Sequence, residues 1–155
     1  MNVADIEAFL DQECGLLDAG DFEGWVDLCT DDAVYWIPIS RDQTDPLGEI
    51  SILYENRTLM ELRKFNFGHR LAPSFETAVR CSHLLGRVKV LASSADEVEV
   101  STKFHCIMWY REEQRMFAGN ALYRLVPESD SFKLRFKRVD LINAEAWHKS
   151  IPIYL

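Results

Sequence analysis

Apolar residues recur at helical spacing in the first part of the chain. Between residues 3 and 18 they lie three or four positions apart, with acidic residues between them, which predicts an amphipathic helix. Gly20 is expected to end this helix, and Asp21 can cap a second, shorter one. The apolar positions are Val3, Ile6, Leu10, Cys14 and Leu17 in the first helix and Phe22, Trp25, Val26 and Cys29 in the second.

A short strand, a loop and a third helix are predicted next. The apolar run from Ala33 to Ile37 favours a strand, which Pro38 stops, and residues 41–48 are rich in loop-forming residues. The third helix is expected from about Ser51 to Phe65. Pro73 prevents its simple continuation.

The second half of the chain alternates apolar and polar residues, which is typical of strands. A turn is expected at residues 112–114 and another at 127–131. The predicted strands are 80–92, 98–110, 117–126 and 132–143. The resulting order, ααβαββββ, places helices before a run of antiparallel strands and indicates an α+β fold.

The last predicted strand changes its alternation part-way along. Its first half has Phe132, Leu134 and Phe136 on one face and Lys133, Arg135 and Lys137 on the other, whereas Val139 and Leu141 are apolar in the opposite phase. A strict period of two cannot bury both sets. One extra residue would restore the phase, so we predict a β-bulge near Lys137 and Arg138. In the alternative, Val139 and Leu141 face a neighbouring subunit.

Composition narrows the function classes. The chain has 155 residues and a net charge of −8, and residues 1–155 are interpreted as one domain. The acidic balance disfavours binding to nucleic acid or to an anionic membrane surface. No segment approaches the roughly 20 apolar residues of a membrane span. The first residues lack the pattern of a signal peptide, so a cytoplasmic location is expected.

Short motifs add a resemblance. The chain reads E-C-G-L-L-D-A-G-D-F-E-G-W from Glu13, D-A-V-Y-W-I-P from Asp32, Y-E-N-R-T-L-M-E-L-R from Tyr54, F-A-G-N-A-L-Y-R-L from Phe117 and K-R-V-D-L-I-N-A from Lys137. In this order they resemble the small (beta) subunits of aromatic-ring-hydroxylating dioxygenases. A Pro-Ser element at residues 73–74 also matches. Where many members have Ser-Asn, this chain has Ser82-His83.

The resemblance implies a cone-shaped fold of the nuclear transport factor 2-like superfamily, also called SnoaL-like or cystatin-like. In it a strongly curved, mostly antiparallel sheet wraps around three N-terminal helices. It further implies a non-catalytic structural subunit in an α₃β₃ complex, with a trimer of beta subunits beneath the catalytic alpha subunits. The complex would add O₂ to an arene with electrons from NADH. Arg57, Arg63 and Trp109 are candidates for subunit contacts, and one of the two arginines is expected to pair inside the subunit.

The resemblance also implies that the Rieske [2Fe–2S] cluster and the mononuclear Fe(II) belong to the alpha subunit. A Rieske cluster needs two cysteines and two histidines, and the ferrous site needs two histidines and a carboxylate. The histidines here are scattered and the four cysteines form no C-x-x-C pair, so no cofactor is expected on this chain. The cysteines are interpreted as reduced and mostly buried.

An acid–base enzyme is the competing interpretation, since scytalone dehydratase and ketosteroid isomerase share the fold. Such a lyase or isomerase would need polar residues converging in an open cone. A small-ligand binding module is a further alternative, whereas a cone filled with aromatic side chains would favour the structural subunit. The pocket candidates are Asp32, Tyr35, Tyr54, His83, His105 and Asp140.

Overall fold

The computed structural model describes residues 2–69 and 79–155, without the side chains of residues 65–69. The expected helix stop at Pro73 and the Pro-Ser element lie outside these ranges. The elements are α1 (Val3–Ala19), α2 (Phe22–Asp27), β1 (Cys29–Pro38), β2 (Ser51–Asn56), α3 (Arg57–His69), β3 (Arg80–Leu85), β4 (Lys89–Ser93), β5 (Val98–Tyr110), β6 (Glu113–Pro127) and β7 (Phe132–Leu141). The predicted α+β class is confirmed.

The first two helices begin and end where the sequence predicts. The Asn2 side chain accepts a hydrogen bond from the Ala4 N–H, and Gly20 ends α1 with a φ of 71°. The Asp21 carboxylate accepts a bond of 2.9 Å from the Gly24 N–H and caps α2. Cys29, predicted on the apolar face of α2, is instead the first residue of β1.

The prediction of a helix from Ser51 was wrong, because residues 51–56 form strand β2. This segment pairs antiparallel with β1, where Glu55 lies opposite Tyr35 and Leu53 opposite Ile37. A helix here would leave that edge of β1 without hydrogen-bond partners. The Asn56 side chain then accepts a bond of 3.0 Å from the Leu59 N–H and caps α3.

The sheet has seven strands in the order β2-β1-β7-β6-β5-β3, and β4 also pairs with β5. The pairing of β1 with β7 is parallel and the other pairings are antiparallel. The predicted strand 80–92 is divided in two at Gly86. There the Gly86 N–H donates to the Lys103 carbonyl at 2.7 Å, and the Thr102 hydroxyl donates to the Gly86 carbonyl at 2.9 Å.

The turn between β5 and β6 lies one residue before the predicted 112–114. Arg111 and Glu112 have φ values of 51° and 61°, and Glu113 already belongs to β6. Two successive left-handed residues match the right-handed twist of the flanking strands. Neither residue is a glycine, which is why the sequence does not mark the position.

Strand β7 contains the predicted bulge, at Arg135. Opposite it, Leu125 pairs with Leu134 and Arg124 with Phe136, so Arg135 is the extra residue. The bulge lies two residues before the predicted position. Phe136 therefore leaves the buried face, where the sequence pattern had placed it, and Lys137 enters it. Val139 and Leu141 are buried, as the restored phase requires.

One hydrophobic cluster lies between the helices and one face of the sheet, and we call this space the cone interior. The inward residues of β5 and β6 alternate as predicted, with Phe104, Cys106 and Met108 on β5 and Phe117, Ala121 and Tyr123 on β6. No described helix is long and apolar enough to cross a membrane.

Candidate functional site

A buried ion pair lies at the centre of the cone interior. Lys137 Nζ is 2.6 Å from Glu13 Oε1, and the two side chains are 2% and 0% exposed. Glu13 comes from the buried face of α1, and the bulge in β7 turns Lys137 inward to meet it. A buried charge is tolerated only when it is paired and hydrogen-bonded, so the two residues depend on each other.

Aromatic residues complete the bonding of this pair. Trp25 Nε1 donates to Glu13 Oε1 at 3.1 Å, and the Tyr123 hydroxyl donates to Glu13 Oε2 at 3.3 Å. The Lys137 ammonium lies 5.1 Å from the centroid of the Tyr123 ring and 5.9 Å from that of Tyr35. Burial raises the pKa of both tyrosines above the usual range, so their hydroxyls stay protonated.

Ile153, Tyr154 and Leu155 are buried in the cone interior. Tyr154 stacks on Trp25 with ring centroids 4.2 Å apart and meets the edge of Tyr35 at 5.0 Å. The Leu155 N–H donates to the Tyr35 hydroxyl at 2.8 Å. Trp25, Tyr35, Tyr123 and Tyr154 are all at most 1% exposed, so solvent does not reach them.

A second ion pair holds this segment at the rim of the cone. The Tyr154 hydroxyl donates to Glu55 Oε2 at 2.6 Å, and Arg63 is 2.6 Å from Glu55 Oε1. The Arg63 guanidinium also lies 5.0 Å from the centroid of the Tyr154 ring. The carboxylate of Glu55 is thus fully engaged in holding strand β2, helix α3 and residue 154 together.

The pocket candidates do not converge. Tyr35 lies in the cone interior as expected of a pocket residue, but Asp32 and His105 are exposed and Tyr54 is half-buried on β2. The Thr30 hydroxyl, and then Arg135, hold the pKa of the Asp32 carboxyl below its usual range. Asp140 is bound by Arg138 at 2.8 Å.

His83 forms a separate cluster with Asp18 and Cys81. Its Nδ1 lies 2.6 Å from Asp18 Oδ1. Burial alone would lower the pKa of His83, but hydrogen bonds to Cys81 and Asp18 outweigh this effect and raise it. This cluster supplies one histidine and one cysteine, and it is the only group of three metal-ligating side chains among the described residues. A Rieske cluster needs two cysteines and two histidines, and the ferrous site needs two histidines and a carboxylate, so the ligands of this cluster fit neither centre.

The candidate contact residues Arg57 and Arg63 bind groups within the subunit, whereas Trp109 is partly exposed. Arg57 donates to the Cys29 carbonyl at 2.7 Å and pairs with Glu61, while Arg63 pairs with Glu55. Both arginines therefore have partners inside the subunit, whereas one had been expected to reach outward. Trp109 is 40% exposed on the outer face of β5.

Trp109 belongs to an apolar area on the outer side of the sheet. Ile107 lies on the same face of β5 and pairs with Met116, which is 64% exposed. Leu84 on β3 is exposed nearby. We call Leu84, Ile107, Trp109 and Met116 the outer apolar patch.

Sequence reasoning missed Glu13 and Lys137. Glu13 is a lone acid on the apolar stripe of α1, between Leu10 and Leu17, and that position was the available signal. Lys137 faces inward only because the bulge lies at Arg135. A bulge at Lys137 or Arg138, as the sequence predicted, would leave Lys137 on the outer face.

Comparisons with known proteins agree with this architecture. The family model of ring-hydroxylating beta subunits matches residues 12–146. The anthranilate 1,2-dioxygenase small subunit of Acinetobacter baylyi is 29% identical, over 89% of this chain and 88% of that protein. The solved beta subunit of benzoate 1,2-dioxygenase from Burkholderia mallei is 29% identical, with a TM-score of 0.76 and coverage of 92% of each chain.

A scytalone dehydratase-like protein of Novosphingobium aromaticivorans shares the fold alone. It is 14% identical, with a TM-score of 0.64 over 90% of this chain and 83% of that one. The match to the beta-subunit model, in contrast, spans most of the chain and agrees with the motifs quoted above. The chain therefore belongs to the family of ring-hydroxylating beta subunits.

Proposed function

We propose that this chain is a structural, non-catalytic subunit of a cytoplasmic aromatic-ring-hydroxylating dioxygenase. Its partner is an alpha subunit that carries the Rieske cluster and the mononuclear iron, in an α₃β₃ complex with a trimer of beta subunits. Electrons come from NADH through the other components of the system. Anthranilate and benzoate are named for two of the relatives, so an aromatic carboxylic acid is the first substrate class to try.

The filled cone interior is the observation that carries this proposal. In an acid–base enzyme the polar groups must meet a substrate in a cavity. Here the carboxylate of Glu13 is bound by Lys137, Trp25 and Tyr123, and Tyr154 covers Trp25 and Tyr35. Ile153, Tyr154 and Leu155 are buried against these residues, which favours a scaffold over a lyase, an isomerase or a ligand-binding module.

The outer apolar patch supports a partner-binding role. Single exposed apolar residues are ordinary, but neighbouring ones on one face often mark an interaction site. Met116 and Ile107 are directly paired across two strands, and Trp109 follows on the same face. Aromatic residues and methionine are enriched in the cores of protein interfaces, which fits this composition.

The test uses the purified chain with and without a candidate alpha subunit from the same genome. Alone, the chain should contain no stoichiometric iron and form no cis-diol from an aromatic acid, NADH and O₂. With the alpha subunit it should co-elute at equal stoichiometry, and the complete system should form the diol. Iron near one atom per chain with Rieske-type absorbance, or diol formed by the chain alone, would contradict the proposal.

A further inference from the structure

Three metal-ligating side chains meet where the end of α1 crosses β3. Cys81 and His83 lie two positions apart on the same, inward face of β3, and Asp18 lies in the last turn of α1. The backbone N–H of His83 donates to both oxygens of the Asp18 carboxylate at 3.1 Å, which fixes the helix against the strand. The carboxylate, thiol and imidazole ligand atoms all lie within 4.8 Å of one another.

The imidazole of His83 has an unused nitrogen. Its side chain is 1% exposed, and the buried Nε2 has no hydrogen-bond partner within residues 2–69 and 79–155. Nδ1 is the nitrogen that faces the Asp18 carboxylate, so it is the one that can share an ion with Asp18, and Nε2 takes no part in the site. Among the residues that the structure describes, the polar side-chain contacts of this imidazole are with Asp18 and Cys81.

We propose that Asp18, Cys81 and His83 form a binding site for a thiophilic divalent cation, with Zn²⁺ as the best fit. Zinc takes sulfur, nitrogen and oxygen ligands together in a tetrahedral arrangement. Mg²⁺ and Ca²⁺ require oxygen ligands, which a thiolate and an imidazole do not supply. The thiolate and the carboxylate together balance the double charge of the ion.

The geometry requires only a small adjustment. Zinc–ligand bonds of about 2.0–2.3 Å place tetrahedral ligand atoms about 3.3–3.7 Å apart. The ion takes the place of the proton between His83 Nδ1 and Asp18 Oδ1, which must separate from 2.6 Å. The Asp18 side chain is 31% exposed, so it can move and gives the ion a path from solvent. Water occupies the fourth position.

The test is a titration of the reduced, chelator-treated full chain with Co²⁺ and with Zn²⁺. Co²⁺ should bind at one equivalent and show the intense near-ultraviolet charge-transfer band of a cobalt–thiolate bond, which Zn²⁺ then displaces. Binding should release a proton, because the ion displaces the one shared between His83 Nδ1 and Asp18. No thiolate band at one equivalent would overturn the proposal.

Substitutions identify the ligands. Cys81→Ser should abolish the charge-transfer band, and His83→Asn and Asp18→Asn should each weaken Zn²⁺ binding by at least about 100-fold, since even outer-shell changes cost 10- to 100-fold. His105→Asn, on the exposed face of β5, is the matched control and should bind like the parent chain. Circular dichroism of each variant checks the fold. A charge-transfer band that survives Cys81→Ser would overturn the site, and so would a loss of Zn²⁺ affinity in His105→Asn equal to that in the ligand variants. If Cys81→Ser does not fold, the separate variants His83→Asn and Asp18→Asn decide the question.

Discussion

Lys137 and Glu13 form a buried ion pair of 2.6 Å that joins residues 124 positions apart in the chain. The pair connects the last strand to the first helix. Because each charge compensates the other in the absence of water, removing one partner leaves the other buried and unpaired. The ion pair is therefore a strong constraint on the sequence even if its net contribution to stability is small.

The first prediction concerns this pair. Lys137→Met should lower the free energy of unfolding by about 3–5 kcal/mol, because Glu13 is left as an uncompensated buried charge. Urea denaturation followed by circular dichroism measures the loss. Lys103→Met, on the exposed face of β5, should change stability by no more than about 0.5 kcal/mol. Adding Glu13→Leu to Lys137→Met should recover much of the loss, and a double variant as unstable as the single one would contradict this account.

The second prediction concerns the aromatic residue that closes the cone interior. Tyr154→Ala should cost about 3–5 kcal/mol of stability, because a large ring stacked on Trp25 is removed. Tyr154→Phe keeps the ring but removes its hydrogen bond to Glu55, so it should cost about 1.5–3 kcal/mol. Thermal and urea unfolding rank the two variants. Equal stability of Tyr154→Ala and the parent chain would mean that this segment does not fill the interior in solution.

The third prediction is a pH dependence of thiol reactivity. The Cys106 thiol, and then His83, stabilise the Cys81 thiolate by hydrogen bonds and lower the pKa of Cys81 to about 6 despite its burial. Its alkylation by iodoacetamide in metal-free protein should therefore rise with pH around a midpoint of about 6. Burial raises the pKa of Cys14 and Cys29 to about 12, so these thiols should stay unreactive under the same conditions.

His83→Asn removes one of the two groups that stabilise the thiolate, and it should move the alkylation midpoint of Cys81 upward. Mass spectrometry of the alkylated peptides reads each cysteine separately. His105→Asn should leave the midpoint in place. A parent midpoint near 8.5, the ordinary value for a free cysteine, would contradict the arrangement of this cluster.

The fourth prediction concerns the outer apolar patch. Met116→Lys and Trp109→Asp should weaken association of the chain, either with itself or with its alpha subunit, because a charge is placed in an apolar contact. Ile50→Lys is the matched control, as Ile50 is also strongly exposed but lies outside the patch. Analytical ultracentrifugation at micromolar concentration gives the oligomeric state. A parent chain that remains monomeric alone and fails to bind the alpha subunit would contradict the prediction.

The sequence alone predicted most of the fold. In α1, β5 and β6 the spacing of apolar residues follows directly from which face is buried, so the pattern reveals the element. It failed where tertiary pairing decides the conformation. Residues 51–56 could form a helix by spacing, but the edge of β1 selects a strand. The position of the bulge was off by two residues, because Phe136 is apolar and its stacking against Arg124 on the outer face leaves no mark in the pattern.

The candidate sites were harder to predict for the same reason. Glu13 and Lys137 are far apart in sequence, and only the register of β7 brings them together. Asp18 and His83 are 65 positions apart and meet through the crossing of a helix and a strand. Spacing rules for motifs describe neighbouring residues, so they carry no information about contacts of this kind.

The bulge at Arg135 is a place in β7 where the residue count can change without altering which residues face the cone interior. A deletion of residue 135 would leave every remaining side chain unchanged. It would give a regular strand in which Leu134 still pairs with Leu125 and Phe136 with Arg124, so Lys137, Val139 and Leu141 would keep facing the cone interior. Arg135→Ala, which keeps the residue count, loses only exposed ion pairs with Asp32 and Glu97. Strand β7 should accordingly accept both the replacement and the loss of residue 135.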